Sequence, residues 1–289
     1  MSILLDGDTR VLVQGVTGPM GSFQAEEMQR YGTRIVGGVS PGKGGARIAG
    51  VPVFDTMRRA VAETGARMSI LYVSAARAKD AIYEAVDAGI NTVVCVAEFV
   101  PVHDTIEIKR RLREAGVRLI GPNCSGLITP GKAKVGFYCD EVCLPGDVGV
   151  MSKSGTLSYA VLLELKRKGL GASTVVGVGG DEVKGTTFRD CVELFEADPE
   201  TRAMLMIGEI GGRDEEQAAA WIRYNAKKPI VAFVSGRTIP VGRCIGHAGA
   251  MVVGSKGTHR SKIEALHDAG VRTAETIEDI PQLLGASHG

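Results

Sequence analysis

The chain has 289 residues, of which 44% are hydrophobic and 23% charged, a balance that is typical of globular proteins and argues against disorder. Its length exceeds that of most single domains, so we expect two. The formal net charge of +1 argues against a nucleic-acid binder that relies on a broad basic field. No apolar run approaches the ~20 residues that a membrane span needs, so we expect no membrane partner either.

The cysteines and the first residues predict a cytoplasmic protein. The six cysteines form no C-x-x-C pair and are expected to be reduced thiols. Cys139 and Cys143 have a loosely metal-like spacing, but no second Cys or His pair follows nearby, so we expect no metal site in this chain. The apolar stretch at the start of the chain ends at Asp6 and Asp8, so it is too short and too acidic for a signal peptide.

The chain begins with the pattern of a phosphate-binding turn. A strand predicted over residues 10–14 leads into Gly15-Val16-Thr17-Gly18-Pro19-Met20-Gly21, and a helix follows to about Arg30. In such a turn the backbone N–H groups and the helix N-terminus hold an anion. The G-x-x-G-x-x-G spacing is related to the dinucleotide fingerprint but is not identical with it.

The end of the second predicted strand, residues 34–39, favours coenzyme A over NAD. Dinucleotide enzymes carry an acid here that holds the ribose hydroxyls, whereas this chain has Ser40-Pro41-Gly42-Lys43-Gly44. A lysine at this place suits a phosphate on the ribose, which coenzyme A carries. Residues 37–43 also resemble a P-loop, but Gly44 stands where that motif needs a hydroxyl for magnesium. An NAD-dependent oxidoreductase stays open as an alternative.

Strands and helices then alternate through the first half. Strands are predicted over 68–73, 92–97 and 117–120, with helices over 78–88 and 105–115. This alternation predicts an α/β fold with a parallel sheet, whose ligands bind at the carboxyl ends of the strands. Two strand ends carry candidate site residues, Val96-Ala97-Glu98 and Gly121-Pro122-Asn123-Cys124. Solvation would equally explain Glu98, and packing would explain Cys124.

A second α/β unit follows a segment without periodicity. Residues 121–146 are rich in glycine and proline, so we expect domains over 1–125 and 147–289 with a connecting segment over 126–146. The second unit opens with a strand over 147–151, and Ser154, Gly155 and Thr156 then begin a helix. Small hydroxyl residues are ordinary helix caps, but the same helix N-terminus can also bind a phosphate.

Two further residues of the second half have the chemistry of a nucleophile and its orienting acid. Strands are predicted over 174–178, 203–207, 230–234 and 271–274, with helices over 214–224 and 261–269. Glu209 follows one strand end among glycines, where a carboxylate can hold an imidazole nitrogen. His247 has only glycine and alanine beside it, and neutral histidine is a competent nucleophile. The alternatives are a surface acid and a turn-capping histidine.

Over essentially its whole length the chain resembles the α subunits of succinyl-CoA synthetase and close relatives such as malate–CoA ligase. The motifs that carry this resemblance are Gln14-Gly15-Val16-Thr17-Gly18, Gly37-Gly38-Val39-Ser40-Pro41-Gly42-Lys43-Gly44-Gly45, Gly121-Pro122-Asn123-Cys124, Ser152-Lys153-Ser154-Gly155-Thr156-Leu157, Met206-Ile207-Gly208-Glu209-Ile210-Gly211-Gly212 and Gly246-His247-Ala248-Gly249-Ala250. The resemblance implies a Rossmann-like coenzyme A-binding domain followed by a flavodoxin-like ligase domain.

The resemblance also implies site residues. His247 would carry a phosphoryl group, Glu209 would steady it, and the start of the helix at Ser154, Gly155 and Thr156 would bind its phosphate. The residues expected at coenzyme A are Thr17, Gly18, Pro19, Met20, Lys43, Val96, Ala97 and Glu98. Those expected near the acyl substrate are Tyr159, Asn123, Cys124 and Ser125.

The implied reaction makes an acyl-CoA from a carboxylate, coenzyme A and ATP or GTP, through a phosphohistidine and an acyl phosphate. The nucleotide and Mg²⁺ would bind to an ATP-grasp β subunit in an αβ or α2β2 heteromer. The chain departs from succinate-specific members at Ser125, where they carry proline, at 137–141 and at Glu182-Val183, and it adds Arg237 and Arg243. Succinate is therefore the leading substrate, with malate or another short acid as alternatives. A coenzyme A-binding protein without catalysis is a further possibility.

Overall fold

Each half of the chain forms a seven-stranded sheet in the computed structural model, which describes residues 2–239, 246–247, 249–252 and 257–285. The strands of the first sheet are β1 Val11–Gln14, β2 Ile35–Val39, β3 Arg47–Ile48, β4 Val51–Phe54, β5 Met68–Leu71, β6 Thr92–Cys95 and β7 Arg118–Ile120. Their order across the sheet is β3-β4-β2-β1-β5-β6-β7.

The first sheet has the Rossmann strand order. Only the short pairing of β3 with β4 is antiparallel, and the other pairings are parallel. When the parallel strands are numbered along the chain, their order is 3-2-1-4-5-6, as in dinucleotide-binding folds. The strands are short runs rich in valine and isoleucine that are almost wholly buried, as expected for a sheet covered on both faces.

Helices flank this sheet on both faces. They are α1 Pro19–Tyr31, α2 Met57–Thr64, α3 Ala75–Asp87 and α4 Val102–Ala115. A proline in the first turn of α1 needs no hydrogen-bond acceptor, and Gly32 ends the helix with a φ of 109°. Helices α1, α3 and α4 were predicted from the sequence, whereas β3, β4 and α2 were not.

The second sheet has the flavodoxin strand order. Its strands are β8 Gly126–Thr129, β9 Ala133–Gly136, β10 Pro145–Ser152, β11 Ala172–Gly177, β12 Ala203–Glu209, β13 Ile230–Ser235 and β14 Arg272–Ala274. The sheet order is β14-β13-β12-β10-β11-β8-β9. The strands from β10 to β14 are parallel, and their chain-order numbering reads 2-1-3-4-5 from β11 across to β14.

The segment that lacked periodicity in the sequence contributes to this second sheet. Strands β8 and β9 pair antiparallel at its edge, and a 3-10 helix follows over Asp140–Val142. Both strands have four residues, all buried, so they carry no alternation of polar and apolar residues that a sequence pattern could reveal. The domain bounds themselves stay a prediction.

The second sheet is flanked by α5 Gly155–Arg167, α6 Phe188–Ala197, α7 Asp214–Asn225, α8 His259–Asp268 and α9 Ile280–Gly285. Helix α6 was not predicted, although its start carries a recognisable signal. Thr187 and Asp190 form a capping box, in which each side chain accepts the other's backbone N–H. Among the described residues, no helix is both long and apolar enough to cross a membrane.

The two halves pack against each other through a shared core. One continuous apolar cluster includes Val13 and Ile70 of the first sheet together with Leu127 and Val176 of the second. At its border the Thr33 hydroxyl donates to the Lys134 carbonyl at 2.6 Å and accepts from the Lys134 N–H at 2.9 Å. This packing joins the two sheets through one core and, at Thr33, through the amino end of β2.

Candidate active site

A cavity of about 660 Å³, here called the first-sheet cavity, opens at the carboxyl edge of the first sheet. It lies where the strand order reverses between β1 and β5, the place where doubly wound folds bind ligands. The loops that line it follow β1, β2 and β5. Three loops of the first sheet can therefore contact a single ligand in this cavity.

Three of the predicted coenzyme residues line this cavity: Thr17, Gly18 and Lys43. The Thr17 hydroxyl donates to the Ser40 hydroxyl at 3.0 Å, which joins the first two loops. Pro19 and Met20 begin α1 outside the cavity lining, and Met20 is 52% exposed.

The glycines of the first loop are required by close contacts. A Cβ atom on Gly21 would lie 2.2 Å from the Gly15 carbonyl oxygen, and Gly15 itself has a φ of 75°. Side chains at these positions would open the turn, so the helix N-terminus could not approach a ligand as closely.

Sequence reasoning missed several residues of this cavity, among them Ser40, Tyr72, Ser74 and Arg77. Arg77 lies in the first turn of α3, directly after a strand end, a position that could have drawn attention to it. With Lys43 it supplies two cations, while Asp80 and Glu84 add carboxylates at the same cavity.

A smaller cavity of about 200 Å³, here called the His247 chamber, collects candidates from both halves of the chain. Its lining residues are Val96, Glu98, Asn123, Cys124, Ser125, Phe137, Lys153, Gly155, Thr156 and His247. They follow β6, β7, β9 and β10, and His247 lies between β13 and α8 along the chain. The chamber lies beside the reversal of strand order between β10 and β12.

The imidazole of His247 is held by Glu209, the last residue of β12. Nδ1 lies 2.9 Å from Glu209 Oε2, and the carboxylate is buried. The hydrogen bond with Glu209 raises the pKa of His247 against the opposing effect of burial, and Asp181 and Glu98 add to the rise. When neutral His247 donates its Nδ1 proton to Glu209, the lone pair is on Nε2, the nitrogen that can act as nucleophile.

Gly180 and the backbone packed against it, here called the glycine floor, lie directly beneath the His247 ring. A Cβ atom on Gly180 would lie 2.2 Å from His247 Cγ, and the Gly249 N–H donates to the Gly180 carbonyl at 3.1 Å. Gly211 has a φ of 87°, and a Cβ there would lie 2.1 Å from the Gly249 carbonyl oxygen. Residues 240–245, 248 and 253–256, among them Arg243, which the sequence analysis noted as a departure from the family, lie outside the described residues.

Asn123 joins the first half of the chain to this floor. Its N–H donates to the Ala97 carbonyl at 2.9 Å, and its own carbonyl accepts from the Gly180 N–H at 3.1 Å. Its side-chain amide donates to Asp181 at 3.0 Å. Asn123 has a φ of 53°, in the left-handed region that asparagine tolerates better than most residues. Ala97 thus acts through its carbonyl, and it is not part of the chamber lining.

Cys124 and Ser125 differ in what they can do. The Cys124 thiol is buried, and it donates to the Cys95 carbonyl at 3.3 Å. Burial raises the pKa of Cys124, so it stays protonated and unreactive. Ser125 Oγ, by contrast, lies beside the start of α5, because a Cβ atom added to Gly155 would be only 2.5 Å from it. Its hydroxyl can therefore contact a ligand held at that helix N-terminus.

The start of α5 has the features of an anion site. The Ser154 side chain accepts the Leu157 N–H at 3.2 Å, so it serves as the helix cap. Gly155 and Thr156, whose N–H groups precede the first intrahelical bonds, line the chamber instead. A helix N-terminus combines free N–H donors with the positive end of the helix dipole and so favours a phosphate.

Comparisons with known proteins agree with this geometry. The CoA binding domain family matches residues 6–99, and the CoA-ligase family matches residues 151–272. The chain is 53% identical over 280 residues to "Succinate--CoA ligase [ADP-forming] subunit alpha 1" of Archaeoglobus fulgidus, covering 97% of this chain and 96% of that protein. The subunit alpha of the same name from Aquifex aeolicus is 50% identical over 286 residues, covering 98% and 94%. The chain belongs to the succinate–CoA ligase α-subunit family.

A solved structure supports the fold of this family member. The ATP citrate lyase from Methanothrix soehngenii, in complex with citrate and coenzyme A, superimposes with a TM-score of 0.91 at 24% identity. The match covers 99% of this chain and 50% of the lyase chain, so the chain spans about half the length of that protein. At this identity the likeness concerns the fold alone.

Tyr159, expected near the acyl substrate of a succinate–CoA ligase α subunit, lies outside the chamber lining. Its hydroxyl donates to the Phe137 carbonyl at 2.5 Å, and its ring is 6.2 Å from that of Tyr138. Burial raises the pKa of Tyr159. The half-buried Tyr159 therefore anchors the backbone of Phe137, a chamber residue, and its expected place near the acyl substrate stays a prediction.

A buried ion network adjoins the chamber of this family member and was not expected from the sequence. Lys153 Nζ lies 2.8 Å from Glu215 Oε1, Lys262 pairs with the same carboxylate, and Glu215 also accepts the Glu209 N–H at 3.1 Å. Burial opposes the charge on Glu215, but the two lysines outweigh it and lower its pKa to about 2. The network thereby fixes the backbone of the residue that holds His247.

Proposed function

We propose that this chain is the α subunit of an acid–CoA ligase that forms a nucleoside diphosphate and an acyl-CoA, with His247 as the transient phosphoryl carrier. One observation carries the proposal. The imidazole Nδ1 lies 2.9 Å from the Glu209 carboxylate inside a chamber that also contains the N-terminus of α5 and two predicted coenzyme residues, Val96 and Glu98.

In the first step Nε2 of His247 attacks the terminal phosphorus of ATP or GTP. The new N–P bond forms as the bond from phosphorus to the leaving nucleoside diphosphate breaks. Glu209 keeps the proton on Nδ1 and balances the positive charge that develops on the ring. The N–H groups at Gly155 and Thr156 suit the phosphoryl oxygens.

Two further steps return the enzyme to its starting state. A carboxylate oxygen of the acid attacks the phosphorus, the N–P bond breaks, and neutral His247 is regenerated beside an acyl phosphate. The coenzyme A thiolate then attacks the acyl carbon, and inorganic phosphate leaves. Dividing the chemistry in this way replaces one difficult displacement by easier ones.

The coenzyme would extend over both cavities. Thr17, Gly18 and Lys43 would bind its nucleotide end in the first-sheet cavity. Val96 and Glu98 would lie beside its thiol end in the His247 chamber. The match of the CoA binding domain family over residues 6–99 supports coenzyme A over NAD as the ligand.

The nucleotide and Mg²⁺ would be bound by an ATP-grasp β subunit, in an αβ or α2β2 assembly. The printed names of the relatives, which are α subunits of ADP-forming ligases, support such a partner and favour ATP. We expect the assembly in the cytoplasm, where the buried thiols of this chain stay reduced.

The chamber supports a short acid as substrate. Its volume of about 200 Å³ suits a compact carboxylate, and the names of the relatives make succinate the leading candidate. The Ser125 hydroxyl at the start of α5 favours malate as the competing candidate, because it can form a hydrogen bond with a hydroxy acid.

Phosphorylation tests the proposal directly. The chain is mixed with a β subunit of the family and ATP labelled at the terminal phosphate, and we expect an acid-labile label on the α chain. His247→Ala should abolish the label, whereas His103→Ala, which changes an exposed histidine, should retain it. Label that persists in His247→Ala would contradict the assignment of the nucleophile. Adding coenzyme A with succinate, malate, itaconate or propionate then identifies the acid that discharges the label.

A further inference from the structure

Tyr72 stands between the two cavities. It follows β5, its N–H donates to the Gln14 carbonyl at 3.0 Å, and it lines the first-sheet cavity. Its ring meets Phe137 edge-on, with 5.8 Å between the ring centroids and 80° between the planes. Phe137 lines the His247 chamber. The Tyr72–Phe137 contact therefore joins the walls of the two cavities.

The Tyr72 hydroxyl has an unusual environment. The oxygen is buried, and it has no hydrogen-bond partner among the described residues. Burial raises the pKa of Tyr72, so the hydroxyl remains a neutral donor. Buried side-chain polar atoms nearly always have a partner in folded proteins. An unpartnered hydroxyl at the border of two cavities points to a polar group of a ligand.

The proposed function supplies such a ligand, and the inference rests on it. The expected coenzyme residues divide between the cavities, with Lys43 at one and Glu98 at the other. A ligand whose phosphates bind in the first-sheet cavity and whose thiol reacts in the His247 chamber must cross the border between them. The arm of coenzyme A that carries the thiol contains amide carbonyls, which accept hydrogen bonds.

We propose that Tyr72 is a positioning residue for this arm: its hydroxyl donates a hydrogen bond to an amide carbonyl of coenzyme A at the entrance to the His247 chamber. The arm takes the place of the Phe137 ring, which is 37% exposed and can turn toward solvent. The Phe137 backbone stays in place because its carbonyl accepts the Tyr159 hydroxyl. The bound arm then aims the thiol at the acyl group beside His247.

Tyr72→Phe removes the hydroxyl and keeps the ring, and Tyr83→Phe on α3 is the matched control. Calorimetry with the purified chain compares coenzyme A with adenosine 3′,5′-bisphosphate, which lacks the thiol arm. We expect Tyr72→Phe to weaken coenzyme A binding about fivefold, the effect of one lost hydrogen bond, and to leave the bisphosphate unaffected. Tyr83→Phe should change neither ligand.

The same variants in the αβ enzyme separate this inference from the proposed function. Tyr72→Phe should raise the KM for coenzyme A while the label on His247 from ATP forms at the normal rate. Unchanged affinity for coenzyme A, or equal weakening of both ligands, would overturn the role of Tyr72. Absence of label in the unaltered enzyme would instead overturn the phosphohistidine mechanism, and the calorimetric comparison would still decide the role of Tyr72.

Discussion

Glu215 accepts the backbone N–H of Glu209 at 3.1 Å while its carboxylate is buried between Lys153 and Lys262. The Glu215 carboxylate thus links the backbone of Glu209 to Lys153, which precedes α5, and to Lys262 of α8. The residues come from distant parts of the chain, since Lys153 and Lys262 are 62 and 47 positions away from Glu215. The contribution of Glu215 can be measured as a change in the free energy of unfolding.

Glu215→Gln should destabilise the fold strongly. The amide leaves two buried lysines without their carboxylate, and removing one partner of a buried ion pair typically costs about 3–5 kcal/mol. Urea unfolding, followed by circular dichroism, measures the loss. Glu63→Gln, which breaks the exposed pair with Arg59, should leave the midpoint almost unchanged.

The pH dependence distinguishes a charge effect from a packing effect. Because the pKa of Glu215 is lowered from 4.5 to about 2 in the folded state, its contribution is present above pH 4.5 and is lost as the pH falls toward 2. The difference in stability between the unaltered chain and Glu215→Gln should therefore shrink over that interval. A difference independent of pH would mean that shape, and not charge, sets the cost.

Glu209→Gln should change both the rate of His247 phosphorylation and its dependence on pH. The hydrogen bond with Glu209 raises the pKa of His247 above its ordinary 6.5, and only the neutral ring is a nucleophile. The rate should therefore rise with pH through an inflection above 6.5. Glu209→Gln should move this inflection to lower pH. It should also reduce the plateau rate at high pH by at least about tenfold, because the positive charge that develops on the ring loses its counter-ion.

Glu98→Gln is the control for that experiment. Glu98 lines the chamber and adds to the raised pKa of His247, after the larger effect of Glu209. The inflection in the rate–pH profile of Glu98→Gln should move less from that of the unaltered chain than the inflection of Glu209→Gln does. Rapid-quench measurement of the labelled chain from pH 5.5 to 8.5 gives the profiles (the range spans about two units above the ordinary histidine pKa). An inflection that Glu209→Gln leaves in place would refute the role assigned to Glu209.

Gly180→Ala should slow phosphorylation about 100-fold with little loss of folding. The new methyl group would lie 2.2 Å from Cγ of His247, so the ring must move away from Glu209. Displacing a reacting group by about 1 Å commonly costs about 100-fold in rate. Gly7→Ala serves as control, because the nearest atom to its Cβ is 4.0 Å away. Normal labelling of Gly180→Ala would show that the ring does not need this floor.

Local patterns predicted much of the fold. Buried strand runs followed by glycine loops marked β1 and β2, and the alternation of strands with helices marked β5 and β6. The two strand orders agree with the Rossmann and flavodoxin architectures that the resemblance implied. The omissions have physical reasons. Strands β8 and β9 are too short and too uniformly buried to show a period, whereas the capping box at Thr187 was a signal that went unused.

The candidate site was predictable as a set of residues but not as an arrangement. Glycine neighbours and strand ends singled out His247 and Glu209, and the structure brings them to 2.9 Å; their roles stay predictions. Tyr159 was expected near the substrate, a role that stays a prediction, and its bond to the Phe137 carbonyl depends on tertiary packing that no local pattern shows. Lys153 stood within a recognised motif, yet its pairing with Glu215 depends on contacts that no local pattern encodes.

The hydrogen bonds of Asn123 have a mechanical consequence. Its N–H is bonded to the carbonyl of Ala97 and its carbonyl to the N–H of Gly180, so one residue couples the predicted thiol-end residues to the glycine floor beneath the imidazole. A ligand that displaced residues 96–98 would therefore pull on Gly180, beneath the imidazole of His247, through two main-chain hydrogen bonds. Such a coupling would need no rotation of either sheet.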